Sequence, residues 1–173
     1  MKHMPWVERR FAFDVPAALF PLLLERLRGT PARVEERVRG LAPEMLRRRD
    51  GEAWSIQEIL GHLIQVEVLW HGRLDDYESG REVLRAADME KRRTVDADYN
   101  SRDVKAILAG FRASRMQLVE RLSALDEAGV ERTARHPRLD VPMRVIDMVV
   151  FAAEHDDHHL ARITELIRTF EQG

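Results

Sequence analysis

Apolar residues recur at three- and four-residue spacing along four long stretches of this chain, and no other feature restricts its fold as strongly. Such spacing places apolar side chains on one face of an α-helix. Period-two alternation is limited to residues 138–141, a run too short to predict a strand. The pattern predicts an all-α four-helix bundle. The four predicted helices are Val15–Gly40, Ser55–Glu78, Ser101–Leu125 and Met143–Phe170.

Polar residues at the helix ends predict where three of these helices begin. Ser55 and Glu58 form a capping box, in which each side chain bonds to the other residue's backbone N–H. Asp14 is the predicted N-cap of the first helix, and Asn100 or Ser101 that of the third. The sequence therefore predicts helix starts from capping chemistry as well as from periodicity.

The segments between and within the helices are less well determined. Gly29–Pro31 leaves two alternatives open: a new helix capped by Thr30, or one continuous, kinked helix. Ala42–Leu46 is predicted to form a short turn. The segments Arg81–Asn100 and Asp126–Pro142 are predicted as long connections, which are unusual in a bundle and often functional.

Composition limits the function further. The chain has 173 residues, which favours a single domain over 1–173, and it contains no cysteine, so disulfides, thiolate metal sites and cysteine nucleophiles are excluded. A net charge of −2 provides no field for nucleic acid or an anionic membrane. No apolar run approaches the ~20 residues of a spanning helix, and no signal-peptide pattern is present. We therefore expect a cytoplasmic protein without nucleic-acid or membrane partners.

Histidines interrupt the buried face of the fourth predicted helix. His155 and His159 are four residues apart and lie one turn apart on the face that carries Ala152 and Ile163. Imidazoles in a core are costly unless their nitrogens have partners, and one metal ion supplies a partner to both. A tight site needs a third ligand, for which His62 beside the apolar stripe of the second helix is the best candidate.

Structural roles compete with this interpretation, since histidine pairs at this spacing are common without a metal and a lone His62 is more often a core residue. His158 lies ~100° around the helix from His159 and is predicted near the ion without binding it. Glu58 is expected to orient His62 only if the capping box leaves it free. The other histidines and tryptophans have predicted structural roles: His3 terminal, His71 surface, His136 in a loop, Trp54 a hydrophobic staple and Trp70 in the core.

Two segments resemble a known family. Residues 54–63 read W-S-I-Q-E-I-L-G-H-L, similar to a W-S-x-x-E-x-x-x-H-L segment. Residues 155–163 read H-D-D-H-H-L-A-R-I, similar to an H-D-x-H-H-x-x-Q-I segment. Both consensus segments are typical of the DinB-like, or YfiT-like, superfamily of metal-binding four-helix bundles. The chain resembles this superfamily from about Phe11 to Phe170. Arg162 departs from the pattern, where the family often has glutamine.

The resemblance implies several properties. It implies a divalent ion, zinc or nickel, held by His62, His155 and His159 with positions left open for water or substrate. It also implies an up-down-down-up bundle that forms a homodimer. The implied activity is thiol transfer, isomerisation or hydrolysis on a small-molecule substrate, with a low-molecular-weight thiol as a possible cosubstrate.

Two functional hypotheses follow. The first is a metal-dependent enzyme of this superfamily, in which Glu58, Asp156 and His158 are weak candidates for proton handling. The second is a non-enzymatic metal-binding or stress-related module, favoured by the lack of an evident general base beside the ligands. A cleft beside the histidines favours the enzyme, whereas a site closed by side chains favours the module.

Overall fold

The chain folds into the expected bundle of four long helices. The structure, a computed structural model, describes residues 4–88, 94 and 96–172. The long helices are α1 (Phe20–Val38), α3 (Ile56–Glu78), α4 (Val104–Ser123) and α6 (Val145–Gln172). The shorter elements are α2 (Pro43–Arg47), α5 (Glu127–Val130), β1 (Thr133–Arg135) and β2 (Pro142–Arg144). No helix within these described residues has the length and apolarity that crossing a membrane requires.

Two apolar clusters in the core show how the helices are directed. In the first cluster, Leu24 near the start of α1 packs with residues near the start of α6 and the ends of α3 and α4. In the second, Val38 at the end of α1 packs with the end of α6 and the starts of α3 and α4. Helices α1 and α6 are therefore parallel, and α3 and α4 both run the opposite way. This confirms the up-down-down-up order.

A buried layer of charged and polar side chains separates the two apolar clusters, and we call it the ion cluster. Arg115 on α4 donates to Glu67 on α3 (Nη2–Oε1 2.6 Å) and to Asp156 on α6 (Nη2–Oδ1 3.1 Å). The Thr30 hydroxyl on α1 donates to Asp156 Oδ2 at 2.9 Å. All four side chains are buried. The ion cluster thus joins the four long helices at mid-height.

Helix α1 is continuous across the segment that the sequence left open. Pro31 lies inside α1 and has no N–H, so the carbonyl of Leu27 four residues earlier loses its helical donor. Arg115 supplies a replacement, because its Nη1 donates to the Leu27 oxygen at 3.4 Å. Thr30 does not cap a new helix, since its side chain belongs to the ion cluster. A proline inside a helix is tolerated here because a neighbouring helix satisfies the released carbonyl.

The predicted start of the first helix was wrong. The α-helix begins at Phe20 instead of Val15, after a 3-10 turn over Ala17–Leu19, and Asp14 is not its cap. The reason is Pro21, which is accommodated in the first turn, where its missing N–H has no partner to lose. A helix that began at Val15 would have placed this proline in its interior.

The other two predicted starts had different outcomes. The capping box is confirmed: Glu58 N donates to Ser55 Oγ at 3.1 Å, and Ser55 N donates to Glu58 Oε2 at 2.8 Å. The predicted caps of the third helix were wrong, because Tyr99–Ser101 form a 3-10 turn. Helix α4 is capped instead by Asp103, whose carboxylate accepts from the Lys105 N–H at 3.0 Å.

Two predicted connections contain regular structure. The turn expected at 42–46 is the short helix α2. The segment 126–142 holds α5 and, with the next two residues, an antiparallel hairpin in which Ala134 pairs with Met143. Both side chains are buried under the first apolar cluster. Val83, in the connection after α3, bridges to Arg135. The hairpin therefore joins two long connections into one wall beside the bundle.

A glycine pair tests the packing of α3. A Cβ at Gly61 would lie 2.1 Å from the buried Tyr99 ring, whereas a Cβ at Gly29 in α1 would meet nothing within 4 Å. We expect Gly61→Ala to destabilise the fold by about 1–3 kcal/mol through overpacking. Gly29→Ala, the matched control, should gain up to about 1 kcal/mol of helix propensity. Urea denaturation checks both, and equal effects of the two variants would contradict the close approach of Tyr99.

Candidate metal centre

Three histidines converge where α3 and α6 cross the middle of the bundle. His62 Nε2 lies 3.3 Å from His155 Nε2, and His159 Nε2 lies 3.2 Å from the same atom. One ring nitrogen from each of the three residues lies within 4.8 Å of the corresponding nitrogens of the other two. His155 is buried, and His62 is partly exposed. The structure therefore brings together the residues that the sequence singled out as ligands.

The spacing of these nitrogens matches the needs of one small cation. Two nitrogens bound to a tetrahedral zinc ion, each about 2.0–2.1 Å from it, lie about 3.3 Å apart. The two separations at His155 have this size. A neutral imidazole carries one lone pair and one N–H, so three facing nitrogens repel unless a proton or cation lies between them. The donor set and its geometry fit a divalent ion.

Aromatic side chains surround the histidines. The Trp54 ring lies 4.9 Å from the His62 ring, and the Trp6 ring lies 5.1 Å from the His155 ring, edge to face. Trp54 also packs against the second apolar cluster, as a staple residue should. Its predicted role was therefore incomplete, since it is also part of the site. These rings pack against two of the three imidazoles.

A partly open cavity of about 1030 Å³ adjoins the three histidines. One wall is the face of α3 on which His62, Val66, Trp70 and Arg73 follow at three- and four-residue spacing. The opposite wall is formed by α6, including Phe151. The connection after α3, the turn of the hairpin and the N-terminal segment supply the remaining walls. The cavity is large enough for a small-molecule ligand.

The carboxylates considered for proton handling are engaged elsewhere. Glu58 accepts from Ser55 and from the Arg49 guanidinium (Nε–Oε2 2.9 Å), so the capping box does not leave it free for His62. Burial alone would raise the pKa of Glu58, but these hydrogen bonds lower it overall. Asp156 faces α4 within the ion cluster. His158 lines the cavity but is not part of the histidine triad.

Three further residues of the cavity wall were not predicted as site residues. Trp70 was assigned to the core and His136 to a loop, and Arg73 was not considered. All three are almost fully buried and line the cavity. Arg73 had a detectable signal, because it continues the three- and four-residue spacing from His62. His136 had none, because its position depends on the hairpin.

The protonation of His136 follows from its contacts. Its Nδ1 accepts from the backbone N–H groups of Arg138 (3.2 Å) and Leu139 (3.1 Å), so the ring proton lies on Nε2. Burial and the charges of Arg73 and Arg138 lower the pKa of His136 to about 4. His136 is therefore a neutral ring with its N–H on Nε2. Of the other histidines, His71 contacts the Ser114 carbonyl (3.0 Å), and His3 lies outside the described residues.

The sequence profile described as DinB superfamily matches residues 26–163, which include all three clustered histidines. The chain belongs to the DinB superfamily. No curated protein matches the sequence significantly. The matched range includes residues 54–63 and 155–163, the two segments on which the resemblance to this family was based.

Solved structures share the fold of this chain. YfiT from Bacillus subtilis, described as a probable metal-dependent hydrolase with an unusual four-helix bundle topology, superposes with a TM-score of 0.83 at 21% identity, over 95% of this chain and 94% of that one. A mycothiol-dependent maleylpyruvate isomerase matches at 0.68 and 12% identity, over 88% of this chain and 62% of that one. The colibactin self-resistance protein ClbS, in complex with double-stranded DNA, matches with a TM-score of 0.66 at 12% identity, over 85% of this chain and 94% of that one. These likenesses show a shared fold.

The lowered pKa of His136 predicts a pH-dependent stability. Between pH ~6.5 and ~4 the His136 ring is protonated in the unfolded chain and neutral in the native protein. The free energy of unfolding therefore falls as the pH decreases through this range. Wild type should lose about 2 kcal/mol more than His136→Asn between pH 7 and 5. Urea denaturation at both pH values measures the difference. Parallel pH profiles for the two proteins would contradict a neutral, buried ring.

Proposed function

We propose that this chain is a metal-dependent enzyme of the DinB superfamily that acts on a small molecule by hydrolysis, thiol transfer or isomerisation. His62, His155 and His159 would hold one divalent ion, with zinc or nickel as the expected metal. The supporting observation is the position of this triad at the wall of an open cavity instead of inside a closed core. A structural metal site needs no adjoining cavity.

Each group of residues at the site has a separate role in this proposal. Three neutral imidazoles add no charge to the site, and Trp6 and Trp54 restrict the water around them. When bound there, a divalent ion supplies Lewis acidity that polarises a substrate oxygen or activates water or a thiol. A thiol must come from solution, because the chain has no cysteine. The descriptions of two relatives, a probable metal-dependent hydrolase and a mycothiol-dependent isomerase, support these reaction classes.

The alternative is a non-enzymatic metal-binding or stress-related module. It is favoured by the contacts of Glu58 and Asp156, the two carboxylates considered for proton handling, because both are engaged away from the triad. One relative was solved with double-stranded DNA, whereas the net charge of −2 of this chain favours no nucleic-acid partner. A homodimer and a cytoplasmic location stay predictions of the sequence.

Metal binding is tested with two neighbouring histidines. Zinc at a hundredfold excess over its Kd should stabilise the wild-type fold by about 3 kcal/mol and raise its Tm. In His155→Ala this rise should vanish, because His155 Nε2 lies next to both other nitrogens and its loss leaves only two ligands, on separate helices. His158→Ala is the matched control and should keep most of the effect. Calorimetric zinc titration measures the affinities, and equal losses in both variants would contradict the proposed ligand set.

Activity assays distinguish the proposed enzyme from the non-enzymatic metal-binding module. Zinc- and nickel-loaded protein should accelerate thiol conjugation of an electrophile, or hydrolysis of an activated ester or amide, and a chelator should remove the activity. His159→Ala should lower kcat/KM by at least about a hundredfold. Full activity in metal-free protein would exclude the proposed mechanism. Tight metal binding without turnover of any of these substrates would favour the module.

A further inference from the structure

Three polar atoms in the cavity wall have no hydrogen-bond partner among the residues that the structure describes. They are Trp70 Nε1, Arg73 Nη1 and His136 Nε2, and each is buried. Buried polar groups in native proteins are nearly always paired, so an unpaired one calls for an explanation. The three residues that carry these atoms line one cavity, which points to a ligand or solvent that pairs with them.

All three atoms are hydrogen-bond donors. An indole nitrogen and a guanidinium can only donate, and His136 Nε2 carries the ring proton because Nδ1 accepts two backbone N–H groups. A group that satisfies three donors must offer several lone pairs. Carboxylate oxygens provide about four acceptor positions, whereas an amide oxygen provides two.

No carboxylate among the described residues forms a hydrogen bond or ion pair with Arg73. Its Nε donates to the Arg85 carbonyl at 3.3 Å, and its guanidinium lies 5.6 Å from the Trp70 ring centroid. Asp76, one turn away on α3, is bound by the backbone N–H of Arg85 (2.7 Å) and its Nη2 (2.9 Å). Burying a guanidinium without a counter-charge is costly. An anionic ligand would remove that cost.

The other charged groups of the cavity support an anion. Of the described side chains that line it, Asp88 is acidic, whereas Arg73 and Arg138 are basic, and the further basic residue Arg85 is paired with Asp76. Val66 and Phe151 line the space between the donors and the histidines. Trp70 lies between the triad and Arg73, because its ring centroid is 6.1 Å from that of His155 and 5.6 Å from the Arg73 guanidinium carbon. A ligand that pairs with the donors therefore reaches the triad beside them, with its apolar part against Val66 and Phe151.

We propose that Trp70, Arg73 and His136 form a carboxylate-binding subsite that holds one end of the substrate or thiol cosubstrate while the other end reaches the histidine triad. This inference rests on the proposed function for the role of the triad. The binding of a carboxylate at the donors is nevertheless separable from metal binding. The subsite assigns the substrate class as a monocarboxylate with an apolar body.

The test compares a carboxylate with its neutral amide. We expect 4-phenylbutyrate to bind zinc-loaded wild type at least about tenfold more tightly than 4-phenylbutanamide, measured by calorimetry, because it pairs with a charged donor. Arg73→Met should bring the ratio of the two affinities close to one. Trp70→Phe, which keeps the ring and removes the N–H, should lower the ratio partway. Arg39→Met removes the same charge from an exposed position and should leave the ratio unchanged.

Stability provides a second readout that a merely structural arginine would not give. Because Arg73 is buried without an ion-pair partner among the described residues, Arg73→Met should raise Tm while it weakens carboxylate binding. Equal affinity for the two probes in wild type, or no binding of either, would overturn the subsite, and so would a preference for carboxylate that survives Arg73→Met. The preference should persist in chelator-treated protein. A failed zinc titration with an intact preference would contradict the metal proposal alone.

Discussion

Arg115 is the contact through which the four long helices are joined. It binds Glu67 on α3, Asp156 on α6 and the Leu27 carbonyl on α1. One guanidinium serves two carboxylates, and burial together with the charge of Asp156 raises the pKa of Glu67. Such a cluster contributes little net stability compared with apolar packing, but loss of one partner would leave a buried charge unpaired. Its main consequence is the alignment of the helices, which determines where the histidines lie.

The histidine triad depends on this alignment. Asp156 follows His155 directly, and neighbouring residues on a helix point about 100° apart. With Asp156 fixed towards α4, His155 faces α3, where His62 lies. Glu67, five residues after His62, fixes the rotation of α3 in the same way. The ion cluster therefore positions the two helices that supply the candidate ligands, although it does not touch the ring nitrogens itself.

The sequence predicted those parts of the site that short-range periodicity determines. His62, His155 and His159 were found because each interrupts or borders an apolar stripe, and the capping box placed the start of α3 correctly. Arg115 was missed because a charged residue within a stripe indicates an exposed position unless its partners are known. Those partners are 48 and 41 residues away in the chain. The hairpin was missed for a similar reason, since three-residue strands are defined by pairing and not by pattern.

The long connections explain why a bundle of this size has an open cavity. Four helices with short loops would close over their polar middle layer, whereas here the connection after α3 and the hairpin are held to each other by the Val83–Arg135 bridge and form a separate wall. That wall brings His136 opposite α3 and adds its Nε2–H to the donors of Trp70 and Arg73, and the Trp70 ring lies 6.1 Å from the His155 ring. One part of the cavity thereby offers hydrogen-bond donors, and the adjoining part would offer the cation that three imidazoles hold. A ligand complementary to both parts must present lone pairs to each, a requirement that neither helix alone imposes.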